Sequence, residues 1–250
     1  IKMKLSILIP VYNELPTVRV AIEHVLKVVK TLDIVPSFEI IIIDDGSSDG
    51  TGEALKNIVK KQDHIKLLIQ KHNLGKGAAI AKGIKESTGD IILIQDADLE
   101  YTPTDYPVLL NPILDDKADV VYGSRFKGET GRVLYYYHYL GNKVITFFSN
   151  LLTNINLTDM ETGYKVFRSS VVTNMILKSK RFGFEPEVTA KISKIKNLRI
   201  YEVPISYYGR TYDEGKKIGW KDGVVALWCI FRFNLLTTYK NSFSKQNKFN

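Results

Sequence analysis

Three acids, Asp96, Asp98 and Glu100, alternate along a segment that closes the apolar run Ile91-Ile92-Leu93-Ile94, and the pair Asp44-Asp45 closes a second run, Ile40-Ile41-Ile42-Ile43. Side chains at i and i+2 of an extended chain point the same way, so the three acids can offer oxygens on one side. A hard divalent cation such as Mg²⁺ prefers one or two carboxylates plus substrate phosphates to a cage built wholly of protein. The chain has no Cys/His zinc spacing, no Asp/Asn/Gly calcium loop and no Walker-type glycine loop. Its four histidines, His24, His64, His72 and His138, are scattered and suggest neither a metal site nor a triad. Acids after a strand also serve as plain turn residues; the recurrence of the pattern at two strand ends is what points to a metal-and-phosphate site.

Both runs are short, rich in β-branched residues and stopped by Asp or Gly, the signature of strands buried on both faces of a parallel sheet. Ligands of such sheets sit just outside the carboxyl ends of the strands, so both clusters are expected to face one crevice. The pattern predicts strands over 4–9, 39–43, 65–70 and 90–95, and helices over 15–31, 50–61 and 76–87. Alternating strands and helices imply right-handed crossovers and a three-layer α/β/α fold around a mostly parallel, Rossmann-like sheet. Longer amphipathic helices enter after Asp119-Val120-Val121-Tyr122-Gly123. In Asn73-Leu74-Gly75-Lys76-Gly77 two glycines permit positive φ or a close approach of backbone to a ligand, and the next helix opens with N–H groups suited to an anion.

The segments Ile9-Pro10-Val11-Tyr12-Asn13-Glu14, Asp44-Asp45-Gly46-Ser47-Ser48-Asp49-Gly50-Thr51, Asn73-Leu74-Gly75-Lys76-Gly77 and Asp96-Ala97-Asp98 occur in an order and spacing that resemble family 2 glycosyltransferases of the GT-A fold. Gly123-Ser124-Arg125, Asp159-Met160-Glu161-Thr162-Gly163-Tyr164-Lys165, Phe184-Glu185-Pro186-Glu187 and Val203-Pro204-Ile205 through Arg210-Thr211-Tyr212 look like the dolichyl- and polyprenyl-phosphate mannose and glucose synthases. The resemblance runs over about residues 3–235.

It implies an inverting enzyme that moves a hexose from GDP-mannose or UDP-glucose to a dolichyl or undecaprenyl phosphate, with Mg²⁺ or Mn²⁺ as cofactor. By matching positions, the nucleotide sugar falls to Pro10, Tyr12, Asn13, Glu14, Asp44, Asp45, Gly46, Lys76, Gly77, Asp96 and Ala97. The cation falls to Asp96 and Asp98, with Glu100 standing where the mannose synthases often carry Gln. The acceptor phosphate falls to Arg125, Arg132, Arg210, Lys216 and Lys217, and Arg suits it because its fork binds phosphate bidentately. Asp98, Arg125 and Arg210 are the expected catalytic groups together with Asp159 and Glu187. Either of the last two could orient the sugar, act as base for an alcohol acceptor, or pair structurally with one of the cations. A lipid monophosphate, with a second pKa near 6, is already an anionic nucleophile and dispenses with a base.

Composition is in keeping with this. The 250 residues, 44% apolar, can bury one sizeable α/β core, and no Pro/Gly/Ser-rich linker or repeat divides them. The expected layout is one domain over 1–235, with a nucleotide-sugar half (1–125), an acceptor half (126–235) and a polar, basic tail (236–250). The lone Cys229 suits a reducing compartment. A net charge of +8 calls for an anionic partner. Residues 205–250 hold eight Lys/Arg and three Asp/Glu, interleaved with Trp220, Trp228, Phe231 and Phe233, a mixture suited to an anionic lipid surface. The apolar run 224–231 is too short for a span that needs about 20 residues, and 133–155, opened by Tyr135, Tyr136, Tyr137 and Tyr139, reads as amphipathic.

No cleavable signal is expected from the opening residues, and peripheral attachment to the cytoplasmic face of a membrane is expected, with a membrane partner subunit or homo-oligomer left open. Two other classes are compatible with parts of the sequence: a family 2 enzyme that glycosylates a saccharide or protein hydroxyl, which demands a base at Asp159 or Glu187, and a basic membrane- or nucleic-acid-binding module. The module has no use for two acidic clusters in one crevice, and no nucleic acid is expected.

Overall fold

The computed structural model describes residues 3–60, 62–128, 132, 135–210 and 219–244, the side chain of Trp220 excepted. The strands are β1 (Lys4–Val11), β2 (Ser37–Asp44), β3 (Ile65–Ile69), β4 (Ile91–Ile94), β5 (Val120–Ser124), β6 (Lys165–Arg168) and β7 (Ile200–Pro204). The helices are α1 (Val18–Val29), α2 (Thr51–Val59), α3 (Lys76–Glu86), α4 (Tyr106–Leu114), α5 (Tyr136–Thr153), α6 (Ser169–Val172), α7 (Phe184–Ile192) and α8 (Trp220–Leu235). The strands form one seven-stranded sheet in the order β3-β2-β1-β4-β6-β5-β7. All pairings are parallel except the two made by β6, which runs antiparallel between β4 and β5.

The apolar runs are buried on both faces because successive side chains leave the sheet on opposite sides. Leu5, Ile7, Ile9, Ile40, Ile42, Ile91 and Leu93 pack beneath α1, α2 and α4, whereas Leu8, Ile41, Ile43, Ile92 and Ile94 pack beneath α3, α7 and α8. This is the expected three-layer arrangement. Most predicted boundaries lie within a residue or two of the observed ones. The first helix starts later, at Val18, because Asn13 takes φ +50° and the N–H groups of Thr17 and Val18 turn back to the Glu14 carbonyl.

Two features add to the expectation. Residues 236–244 are no free tail: Phe243 and Ser242 are buried, Met175 and Phe243 form a β-bridge, and the Ser244 N–H donates to the Asn174 carbonyl. The glycines of the 73–77 turn approach protein and not open space. A Cβ on Gly75, which has φ +97°, would sit 2.2 Å from the Lys180 carbonyl oxygen, and one on Gly77 would sit 2.3 Å from that of Ser179. The start of α3 is thereby locked to the segment before α7.

Candidate active site

At the carboxyl ends of β1, β2 and β4 lies a cavity of about 480 Å³. It brings together eleven of the residues singled out from the sequence, Pro10, Tyr12, Glu14, Asp45, Lys76, Asp96, Ala97, Asp98, Glu100, Arg125 and Arg210. The two acidic clusters face one crevice, as parallel-sheet geometry requires.

In the Asp96–Glu100 turn Leu99 takes φ +63°, and Asp98 Oδ1 accepts the Glu100 N–H at 3.1 Å. Burial, then Asp96 and Glu100, push the Asp98 carboxyl up to about 7, with Arg210 opposing. Arg210 reaches into this cluster: Nη2 lies 3.2 Å from Asp98 Oδ2, Nη1 3.6 Å from Glu14 Oε2 and Nε 3.5 Å from Glu100 Oε1. Glu100 also accepts the Arg210 N–H and the Tyr207 hydroxyl, at 2.9 and 2.8 Å. Such a concentration of acid in a buried place suits a divalent cation held by Asp98 and Asp96, with ligand phosphates completing its shell. Among the described residues no three Asp, Glu, His or Cys stand ready as a cage.

Arg125 is clamped from below. Its Nε and Nη2 make a bidentate pair with the fully buried Asp159, at 2.7 and 2.8 Å, and its N–H donates to the same carboxylate. Burial opposes the charge on Asp159, but Arg125 outweighs it and holds the carboxyl below its ordinary range. The guanidinium lies 5.1 Å from the Tyr207 ring centroid. Asp159 is not among the cavity-lining residues, and its carboxylate serves to orient Arg125. Lys76, first residue of α3, bridges Asp96 at 2.9 Å and Glu185 at 3.1 Å. Burial weakens its charge, yet these two acids keep its pKa well above the usual lysine value. Asp45 accepts from Gln70 Nε2, Leu74 N and Gly75 N, at 2.6, 2.8 and 2.6 Å, fixing the glycine turn at the cavity rim.

The remaining expected residues fall outside the cavity lining. Asn13 and Asp44 hold the 47–48 turn through Ser47 and Ser48, and Gly46 packs on the backbone of His72. Arg132 donates to the Gly209 carbonyl at 2.8 Å. Glu187 is buried away from the crevice, accepting the N–H groups of Lys178 and Ser179 and pairing with Lys191. Its carboxylate fixes the segment that α3 leans on. Lys216 and Lys217 lie outside the described residues.

The sequence profile of Glycosyl transferase family 2 matches residues 6–175. The chain belongs to this family. It is 28% identical over 227 residues to an undecaprenyl-phosphate mannosyltransferase of Micrococcus luteus, covering 87% of this chain and 88% of that protein. It is 27% identical to a dolichol-phosphate mannosyltransferase of Pyrococcus furiosus, over 87% of this chain and 60% of that longer one. A 4-deoxy-4-formamido-L-arabinose transferase of Proteus mirabilis is 27% identical over 85% of this chain and 62% of its own length. In fold, the chain is similar to glucosyl-3-phosphoglycerate synthase of Mycobacterium tuberculosis, solved with Mn²⁺, UDP and phosphoglyceric acid. The TM-score is 0.70 at 17% identity, over 93% of this chain and 79% of that one. The protein is a glycosyltransferase of the GT-A fold.

For a family 2 enzyme, the cavity holds further residues that reading the sequence did not single out: Tyr101, Tyr207, Arg181, Phe182, Glu161 and Glu185. Glu185 and Glu187 are two apart at the start of α7, so they cannot share a face. The structure turns Glu185 to the crevice and Glu187 to the core. Gly163 is required beside them, since a Cβ there would lie 2.2 Å from Asp96 Oδ2. Burial first, then the charge of Glu185, push the Glu161 carboxyl up to about 8.

Proposed function

We propose that this glycosyltransferase moves a hexose from a nucleotide sugar, GDP-mannose or UDP-glucose, to a polyprenyl phosphate at a membrane surface, with inversion at the anomeric carbon. The observation that carries this reading is the pairing in one cavity of an acidic cluster with two cations, Arg125 and Arg210, one of them aligned by a buried carboxylate. The named activities of the Micrococcus and Pyrococcus relatives support it. So does the engagement of the two carboxylates expected as a base for an alcohol: Asp159 pairs with Arg125, and Glu187 is held in the protein interior.

In the proposed reaction an oxygen of the acceptor phosphate attacks the anomeric carbon while the bond to the nucleoside diphosphate breaks on the opposite face. Arg125 and Arg210 hold the acceptor phosphate, bidentately where geometry allows. Lys76, charged by virtue of Asp96 and Glu185, faces the donor. Asp98 and Asp96 would hold a divalent cation, Mg²⁺ or Mn²⁺, which would supply Lewis-acid stabilisation of the leaving diphosphate. No proton has to be removed from a phosphate dianion, so no carboxylate base is assigned.

The lipid-facing element is a continuous surface of α5 and α8, where the Phe148 and Phe231 rings meet at 6.1 Å. On it Tyr136, Tyr137, Phe147, Leu151, Val224, Trp228 and Leu235 are exposed. Aromatic and aliphatic side chains of this kind suit the headgroup boundary. No helix among the described residues is long and apolar enough to cross a membrane. Residues 1–235 act as one domain in this reading, the first half taking the donor and the second the lipid.

Donor binding is checked by thermal shift with GDP-mannose and UDP-glucose, with and without Mn²⁺. A ligand at 100 times its Kd adds about 2.7 kcal/mol, which raises the melting temperature by roughly 5–10 °C in a chain of this size. The shift is expected for one donor and to depend on the cation. No shift with any nucleotide sugar would remove the donor from the scheme.

A further inference from the structure

Two carboxyl groups of the cavity each keep an oxygen that the transfer described above does not use. Glu161 and Glu185 both line it, and Oε1 of Glu161 and Oε2 of Glu185 are buried without a hydrogen-bond partner. Buried polar atoms are nearly always paired, because an unmet acceptor forfeits its hydration for nothing. Two such atoms in one cavity mark a place where a ligand supplies the missing bonds.

The nearby cations do not fill this role. Lys76 meets the other oxygen of Glu185. Lys165, fully buried, donates from Nζ to the main-chain carbonyls of Met160 and Thr162, the residues on either side of Glu161. Those two bonds pin the turn that carries Glu161. Lys76 and Lys165 offset the charges of Asp96 and Glu185, so the place has little net charge to offer an ion, and a neutral ligand rich in hydroxyls fits.

We propose that Glu161 is a specificity-determining residue for the transferred sugar, positioned by Lys165 and acting with Glu185 to read the arrangement of neighbouring hydroxyl groups. The inference rests on the reading of the chain as a nucleotide-sugar-dependent transferase. The chemistry matches: a hydroxyl both gives and takes a hydrogen bond, and a neutral carboxyl beside a carboxylate offers one donor and several acceptors. Burial and Glu185 favour the neutral form of Glu161 at pH 7. A site that hydrogen-bonds a hydroxyl discriminates strongly against a ligand that lacks it or points it elsewhere, because buried polar groups are then left unpaired.

The test compares donors that share a nucleotide and differ at one sugar centre: UDP-glucose with UDP-galactose, and GDP-mannose with GDP-glucose. kcat/KM is measured for wild type, Glu161→Ala and Glu161→Gln, and the Kd of bare UDP and GDP serves as the control for folding. Glu161→Ala is expected to lower kcat/KM for the preferred donor by about 10- to 100-fold, the worth of a hydrogen bond to a buried carboxyl, and to collapse the preference between epimers. Bare nucleotide affinity should stay within about twofold, since those contacts are elsewhere in the cavity. Glu161→Gln, which keeps a donor and an acceptor, should fall between. An Ala variant that keeps the epimer ratio overturns the inference and leaves the transfer reading standing. A wild-type protein that consumes none of these donors overturns that reading instead.

Discussion

Asp98→Asn is expected to lower turnover by about 10² or more, the usual effect of losing one preorganised electrostatic contact to developing charge. The fold should hold, with the melting temperature within about 4 °C of wild type, equivalent to roughly 1 kcal/mol or less in a chain of this length. The sign follows from Asp98 itself. Its folded pKa of about 7 stands above the ordinary 3.8, so the ionised carboxyl opposes folding as pH rises through that window. The neutral amide relieves that strain and forfeits the contact with Arg210, two effects of opposite sign. Melting curves and initial rates in saturating Mn²⁺ check both parts. Full activity in the Asn variant, or in EDTA, would mean that Asp98 carries no cation.

Asp159→Ala should differ by losing stability as well as activity. Removing one partner of a fully buried ion pair leaves the other charge uncompensated, typically at about 3–5 kcal/mol. For 250 residues that is on the order of 10 °C in melting temperature. Arg125→Ala strands the buried Asp159 carboxylate in turn, with Asn142 Nδ2 at 3.1 Å as its remaining side-chain partner. The double variant should therefore be less destabilised than the sum of the singles, a coupling that a double-mutant cycle measures. Strictly additive single variants would mean that Asp159 does not act through Arg125.

The parallel-sheet half was the most legible part of the chain. Its Ile-rich runs are buried on both faces, so they carry no alternation that a helix could mimic, and the acids at their ends fall where sheet geometry puts ligands. β6 was not legible. Lys-Val-Phe-Arg has four residues, and its antiparallel place between β4 and β5 is fixed by partners more than forty positions away. The site was legible to the extent that residue types declared it: Asp96, Asp98, Arg125 and Arg210 were found from motif position, although the contact between Arg210 and Asp98 spans 112 positions and leaves no local trace. The choice between Glu185 and Glu187 was beyond sequence because both lie in the first turn of the same helix, and only the packing of α7 decides which one faces the crevice. In the 73–77 turn the positive φ at Gly75 was legible, but its close approach to the backbone of residues 179–180 was not, since that contact is more than a hundred positions away.

The acceptor tests the account most directly. Wild-type protein with its preferred nucleotide sugar and Mn²⁺ is offered polyprenyl phosphate or the free polyprenol, and the lipid product is identified by mass. A hexosyl phosphate lipid is expected from the first and no transfer to the second, because Arg125 and Arg210 are arranged for an anion and Asp159 and Glu187, the two carboxylates expected as a base for an alcohol, are both paired within the protein. Transfer to polyprenol at a rate similar to that for the phosphate would contradict it.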